Sequence, residues 1–168
     1  MGARQIFIAI KGTPEKVILG LLNLKKLGLQ VDIGDVTKAY TAIGAETKNG
    51  WYLFLSAYWK FIEDQYLSQL SKDTELIFGV IEEHIPYSAV GWWQNGKRTW
   101  FIEYNANADP NHLDVIGAVP YDLIELKKEY PNDFCEIPME IFYRTIGYRH
   151  DAMPQYLTGC VEKMDALI

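Results

Sequence analysis

The side chains most able to do chemistry are three histidines, two of them beside an acid in the chain. Glu82-Glu83-His84 ends an apolar run, His112 lies in a polar stretch before Leu113, and His150-Asp151 follows Gly147-Tyr148-Arg149. Histidine and carboxylate together can hold a divalent metal. A metal-assisted hydrolase would therefore be built on Glu82, His84, His112, His150 and Asp151. Its ligands would have to be assembled by folding, because neither His-Glu-x-x-His nor Cys-x-x-Cys occurs. Two adjacent acids on a strand face opposite sides, so Glu82 and Glu83 do not make a carboxylate pair for acid/base work. Glu82 shares a face with His84 and can tune it. Of the candidate nucleophiles, Ser88 and Cys135 are in no recognisable elbow, and Gly-x-Ser-x-Gly is absent. Neither type of glycine-rich phosphate loop is present. The residues thus commit to no catalytic group, no metal and no cofactor.

What they support better is a binding surface. The 168 residues carry a net charge of −6, which argues against nonspecific nucleic-acid binding, since that needs a basic face to displace counterions. Distribution matters more than the total. Residues 1–60 hold 8 basic and 4 acidic side chains, residues 61–140 hold 5 and 15, and residues 141–168 hold 3 and 3. The middle of the chain is an acidic block, and such a block suits a basic protein partner through charge complementarity. Aromatic residues make up 14% of the chain, more than a small core hides easily, and exposed Trp or Tyr favours interfaces. Trp92 and Trp93 are neighbours on a predicted strand, so one faces away from the other. The candidate partner-binding set is Glu82, Glu83, His84, Trp92, Trp93, Glu103, Asp109, Asp114, His150 and Asp151. Arg149-His150-Asp151 has an equally good structural use, pinning the segment after a helix.

These residues need elements to position them. Gln5–Ile10 predicts a strand. Thr13-Pro14-Glu15 starts a helix, which Lys25 and Lys26 close and Gly28 stops. Val36–Ile43 is rich in β-formers. Asn49-Gly50 is a hairpin signal before a buried strand from Trp51 to Leu55. Trp59–Leu70 returns to helical spacing. Glu75–His84, Tyr87–Trp93 and Arg98–Tyr104 then predict a meander with a second Asn-Gly turn at Asn95-Gly96. Its last strand puts Trp100, Ile102 and Tyr104 on one face and Thr99, Phe101 and Glu103 on the other. Leu113–Ile116 reads as a short edge strand. Helices are expected from Pro120 to about Tyr130, from Pro138 to Gly147, and weakly over Gln155–Leu167. Hairpins dominate, so the expected fold is a single α+β domain over residues 1–168. Its mainly antiparallel twisted sheet would have five to seven strands, a β-meander and packing helices.

No apolar run approaches the ~18 residues of a membrane span, and no secretory signal follows Met1. Gly2 lacks the Ser or Thr four residues on that myristoylation wants, because Ile6 stands there. Two cysteines, Cys135 and Cys160, are too few for a disulfide scaffold and read as reduced thiols. The expected setting is cytoplasmic.

Certain motifs occur together. They are Gly50-Trp51-Tyr52, Val80-Ile81-Glu82-Glu83-His84-Ile85-Pro86-Tyr87-Ser88-Ala89, Trp93-x-Asn95-Gly96-Lys97-x-x-Trp100, Ile137-Pro138-x-Glu140 and Gly147-Tyr148-Arg149-His150-Asp151. As a set over residues 50–151 they resemble an uncharacterised family of small, stand-alone bacterial proteins. In that family a strand ending Glu-Glu-His leads into a Ser-Ala strand and a Trp-x-x-Gly turn. The resemblance implies no catalytic residues. In size, charge and style the chain is also similar to bacterial toxin immunity proteins, which implies an inhibitor whose acidic, aromatic surface covers a basic toxin. A homodimer through the sheet's aromatic edge is the third expectation.

Overall fold

The computed structural model describes residues 4–12, 15–30, 42–47, 49–151 and 162–166. The chain opens with β1 (Arg4–Lys11), α1 (Glu15–Leu22) and β2 (Leu24–Gln30). β3 (Ala42–Glu46), β4 (Trp51–Ser56) and a 3-10 turn (Trp59–Ile62) lead to α2 (Asp64–Leu70). The meander follows as β5 (Glu75–Glu82), β6 (Tyr87–Gln94) and β7 (Lys97–Asn105). β8 (Asp114–Gly117), α3 (Leu123–Glu129), α4 (Glu136–Ile146) and β9 (Glu162–Ala166) complete the order.

All the described strands join one open sheet in the order β2-β9-β3-β4-β1-β5-β6-β7-β8, and every pairing among them is antiparallel. The run from β3 to β8 supplies seven strands, the upper end of the expected range. β9 and β2 extend it to nine.

Strand alternation in β1 sorts the core into two layers. Ile6, Ile8 and Ile10 point to the side covered by α1, the 3-10 turn and α2, where Phe54, Phe61, Leu67, Phe78 and Trp93 join them. Phe7 and Ala9 point to the other side, under α4 and α3, with Leu53, Ile77, Trp100, Ile102 and Phe142. Phe7 and Phe142 bring their rings to 5.4 Å. Burying one such side chain contributes about 1.5–3 kcal/mol. Helices on both faces explain why the central strands read as continuous apolar runs.

The meander forms as the alternation predicts. Asn95 (φ 50°) and Gly96 (φ 78°) are both left-handed, as a two-residue type I′ turn requires, and Gln94 pairs with Lys97 across it. Trp100, Ile102 and Tyr104 lie in one layer and Phe101 borders the other. The β6–β7 register slips between Trp92 and Trp93, leaving Thr99 as the extra residue of a bulge.

Several expectations change. The first helix ends at Leu22, not beyond Lys26. Asn23 turns with φ 54°, and Lys25 and Lys26 lie on β2. The Trp59–Leu70 helix is broken at Glu63, whose extended backbone (ψ 143°) separates the 3-10 turn from α2. β5 stops at Glu82, so Glu83 and His84 belong to the turn into β6. α3 starts at Leu123, where the Asp122 carboxylate accepts from the N–H groups of Ile124 and Glu125. α4 starts at Glu136, just ahead of Pro138, and ends at Gly147 as expected, its N–H bonding Tyr143 O at 2.7 Å. In place of a terminal helix, residues 162–166 form β9, between β2 and β3. Thr13, Pro14, most of Val36–Ile43, and residues 155–161 lie outside the described residues. Among those described, no helix is long and apolar enough to cross a membrane.

Candidate functional site

Two places gather the sequence-predicted residues. The first is a corner where the turn after β5 meets the segment after α4. Glu82 closes β5 and is buried. Its carboxylate lies 3.4 Å from Arg4 Nε and 2.7 Å from His84 Nδ1, and it accepts the His84 backbone N–H. Glu83, free of the strand's alternation, lies 3.1 Å from His150 Nε2. The His150 ring is almost wholly buried and stacks on Phe7 at 6.3 Å. Its Nδ1 has no partner among the described residues. Tyr148 donates to Gln5 Oε1 at 3.0 Å inside the core, and burial raises its phenol well above the usual range.

Arg149 ties this corner to α4. It donates to Glu136 (2.6 Å), Glu140 (3.3 Å) and both oxygens of Asp151 (2.8 and 3.0 Å). Arg144 continues the chain of pairs, to Glu140 and Glu129. The hydrogen bond from Arg149 holds the Asp151 carboxyl below the usual carboxylate range. Here the Arg149-His150-Asp151 cluster is the pin that one reading of the sequence described. The acidic side chains of α4 are spent inside the molecule.

Each histidine has its own carboxylate: His84 with Glu82, His150 with Glu83, and His112 with Asp114 at 3.3 Å. Among the described residues, no three His, Cys, Asp or Glu are grouped to hold a metal ion. Ser88 donates to the carbonyl of Cys135 at 2.6 Å and so is not aimed at a base. Burial pushes the Cys135 thiol up to about 11, the reverse of what a nucleophile needs, and the thiol is free of any disulfide. A cleft of about 350 Å3 lies between residues 143–147 and the β3–β4 turn at Thr47 and Asn49. Among the described residues its one charged side chain, Arg144, is held by Glu129 and Glu140.

The tryptophans also turn inward. Trp93 is buried between β6 and the α2 side. Trp92 is half-buried, edge-on to Trp51 at 5.7 Å and stacked on Trp100 at 6.3 Å. The expectation of an exposed Trp assumed one bare sheet face, and helices cover both.

The second place is the sheet margin at β8. All four of its residues are exposed, and Val115 and Ile116 are 44% and 51% accessible. Among the described residues β7 is its only strand partner, in the register Glu103↔Asp114, Ile102↔Val115, Phe101↔Ile116 and Trp100↔Gly117. Gly117 fixes the strand's end: its φ is +78°, and a Cβ there would stand 2.3 Å from the Thr99 carbonyl oxygen. Leu113 is buried, and Tyr104 donates to Pro110 O at 3.4 Å, which anchors the loop before β8. Asp109 sits exposed in that loop and accepts the Asn111 N–H. Directly paired Glu103 and Asp114 are like charges across strands, an arrangement that is destabilising by itself. Glu103 also accepts a hydrogen bond from Tyr87, whose phenol is raised first by burial and then by that acid.

Of the predicted set, Glu103, Asp109 and Asp114 therefore belong to the β8 margin. Glu82, Glu83, His84, His150 and Asp151 form the corner, and Trp92 and Trp93 serve the core. Val115 and Ile116 were not among the candidates. The edge-strand assignment of Leu113–Ile116 was the signal that could have found them, since apolar residues on an edge are unusual. Comparison with protein-family models, with curated proteins and with solved structures finds no match for this chain.

Proposed function

We propose that the chain is a binding protein for a basic protein partner, and that it meets the partner along the β8 margin. An immunity-type inhibitor that covers a basic toxin in the cytoplasm is the form of this reading that the sequence resemblance suggests. The observation that carries it is the exposed β8 edge, where Val115 and Ile116 present one apolar side chain to each face of the sheet beside the paired acids Glu103 and Asp114. Apolar groups flanked by charge are the usual anatomy of a protein interface. The acids of the corner do not contribute, because Arg4, Arg144 and Arg149 already neutralise most of them.

The test is co-expression of the tagged chain with the products of its neighbouring genes, with elution by rising salt. The reading expects one stoichiometric basic partner, released as salt rises, and lost when Asp109→Lys and Asp114→Lys are combined. Capture that survives this double reversal unchanged would refute the surface. Capture of no basic protein would remove the binding reading itself.

A further inference from the structure

We infer that β8 binds by strand addition, and that the partner supplies an extended segment with a basic residue next to two apolar ones. This rests on the binding reading above and adds the partner's chemistry to it. Register specifies the segment. A strand laid beside β8 lengthens each row of side chains that crosses β7 and β8. The row Glu103–Asp114 ends in two carboxylates, and the next position in it is favourable for Lys or Arg. The rows Ile102–Val115 and Phe101–Ile116 end in exposed apolar side chains, and their next positions favour apolar residues. Gly117 closes the register, because its backbone is left-handed (φ +78°) and the Thr99 carbonyl oxygen lies 2.3 Å from where a Cβ would stand. Three consecutive partner residues are thereby specified: a basic one beside two apolar ones. The outward N–H and C=O groups of β8 supply the backbone bonds, as in other peptides captured at sheet edges.

Charge selects this occupant over a second copy of the chain. Asp114-Val115-Ile116-Gly117 contains no lysine or arginine, so two β8 strands paired about a twofold axis would add no lysine or arginine to either acidic row. A head-to-tail contact could bring Lys25 or Lys26 of β2 to that row. Such a contact does not close and would grow with concentration.

The probes are fluorescent synthetic peptides with Lys-Val-Val, or the reverse order Val-Val-Lys, between Gly-Ser flanks, titrated with the whole protein. The two orders cover the two strand directions. One of them should bind, and N-methylating its alternate backbone amides should weaken binding roughly tenfold or more, because edge hydrogen bonds are lost while charge and side chains remain. Ile116→Lys should do the same. Equal binding by the plain and N-methylated peptides would overturn strand addition and leave the binding reading standing. So would capture of a basic partner by a protein that binds neither peptide. Concentration-dependent growth of the protein alone in sedimentation would overturn it in favour of a second copy. If both peptides fail and no basic protein is captured, the two readings fall together.

Discussion

At one margin of the sheet, β2 carries Lys25 and Lys26 exposed on its outermost strand, and its pairing with β9 slips between Lys26 and Gln30. At the other margin, β8 is regular against β7, contains no lysine, and exposes Val115 and Ile116. Lysines and irregular pairing are the devices by which proteins keep a sheet edge from taking on another strand. One margin of this molecule has both and the other has neither. The acids near β8 repel other acidic surfaces but not a basic one. The contrast therefore separates an edge protected against all strands from an edge selective by charge.

The contrast can be broken most severely at Gly117. Gly117→Val places a side chain against the Thr99 carbonyl in a left-handed backbone position and should cost roughly 2–3 kcal/mol. A lower urea midpoint and faster amide exchange at residues 114–117 would show it. Next, Val115→Lys with Ile116→Lys gives β8 the protection of β2. Partner capture should fall more than about tenfold while stability moves by less than ~0.5 kcal/mol, as for other exposed substitutions. An unchanged capture would mean that exposed apolar residues at β8 do no binding. In the opposite direction, Lys25→Val with Lys26→Val strips the guarded margin. Slow self-association by light scattering is expected, with little change in the urea midpoint.

The smallest effect is expected at the corner, away from both margins. Asp151 is held below its ordinary range by Arg149. Its contribution is thus complete above the carboxylate range of the unfolded chain and disappears as pH falls through the lowered folded value. Asp151→Asn should flatten the acid limb of a Tm–pH curve slightly and leave partner capture alone. Lost capture would move the binding surface to the corner.

Much of the fold was legible because its signals are local. The β5–β6–β7 meander follows from strict alternation and an Asn-Gly pair, and the end of α4 from a glycine. β2 was not legible, because Leu24-Lys25-Lys26-Leu27 continues the helical spacing of α1 until Asn23 turns the chain. β9 was not either: Glu-Lys-Met-Asp-Ala is a strand only because β2 and β3 flank it. The candidate site divides the same way. An edge strand near Leu113–Ile116 was visible, and Asp114 was among the candidates. The facing of Glu103 with Asp114 is a property of register, which neither segment carries alone. Glu82 looked like a surface acid because nothing in its neighbourhood announces Arg4, far away on β1.

The placement of β9 between β2 and β3 has a consequence for synthesis. Those two strands are made early and their shared neighbour late, so they wait for it while the rest of the chain leaves the ribosome. During that interval β3 is the last of the described strands on that side, and its sequence Ala-Ile-Gly-Ala-Glu has no lysine to keep other strands away. Pairing over such sequence separations is slow and leaves edges open to misassembly. The nascent protein thus has two unguarded margins until residues 162–166 arrive, and only then is the lysine-bearing strand joined to the sheet.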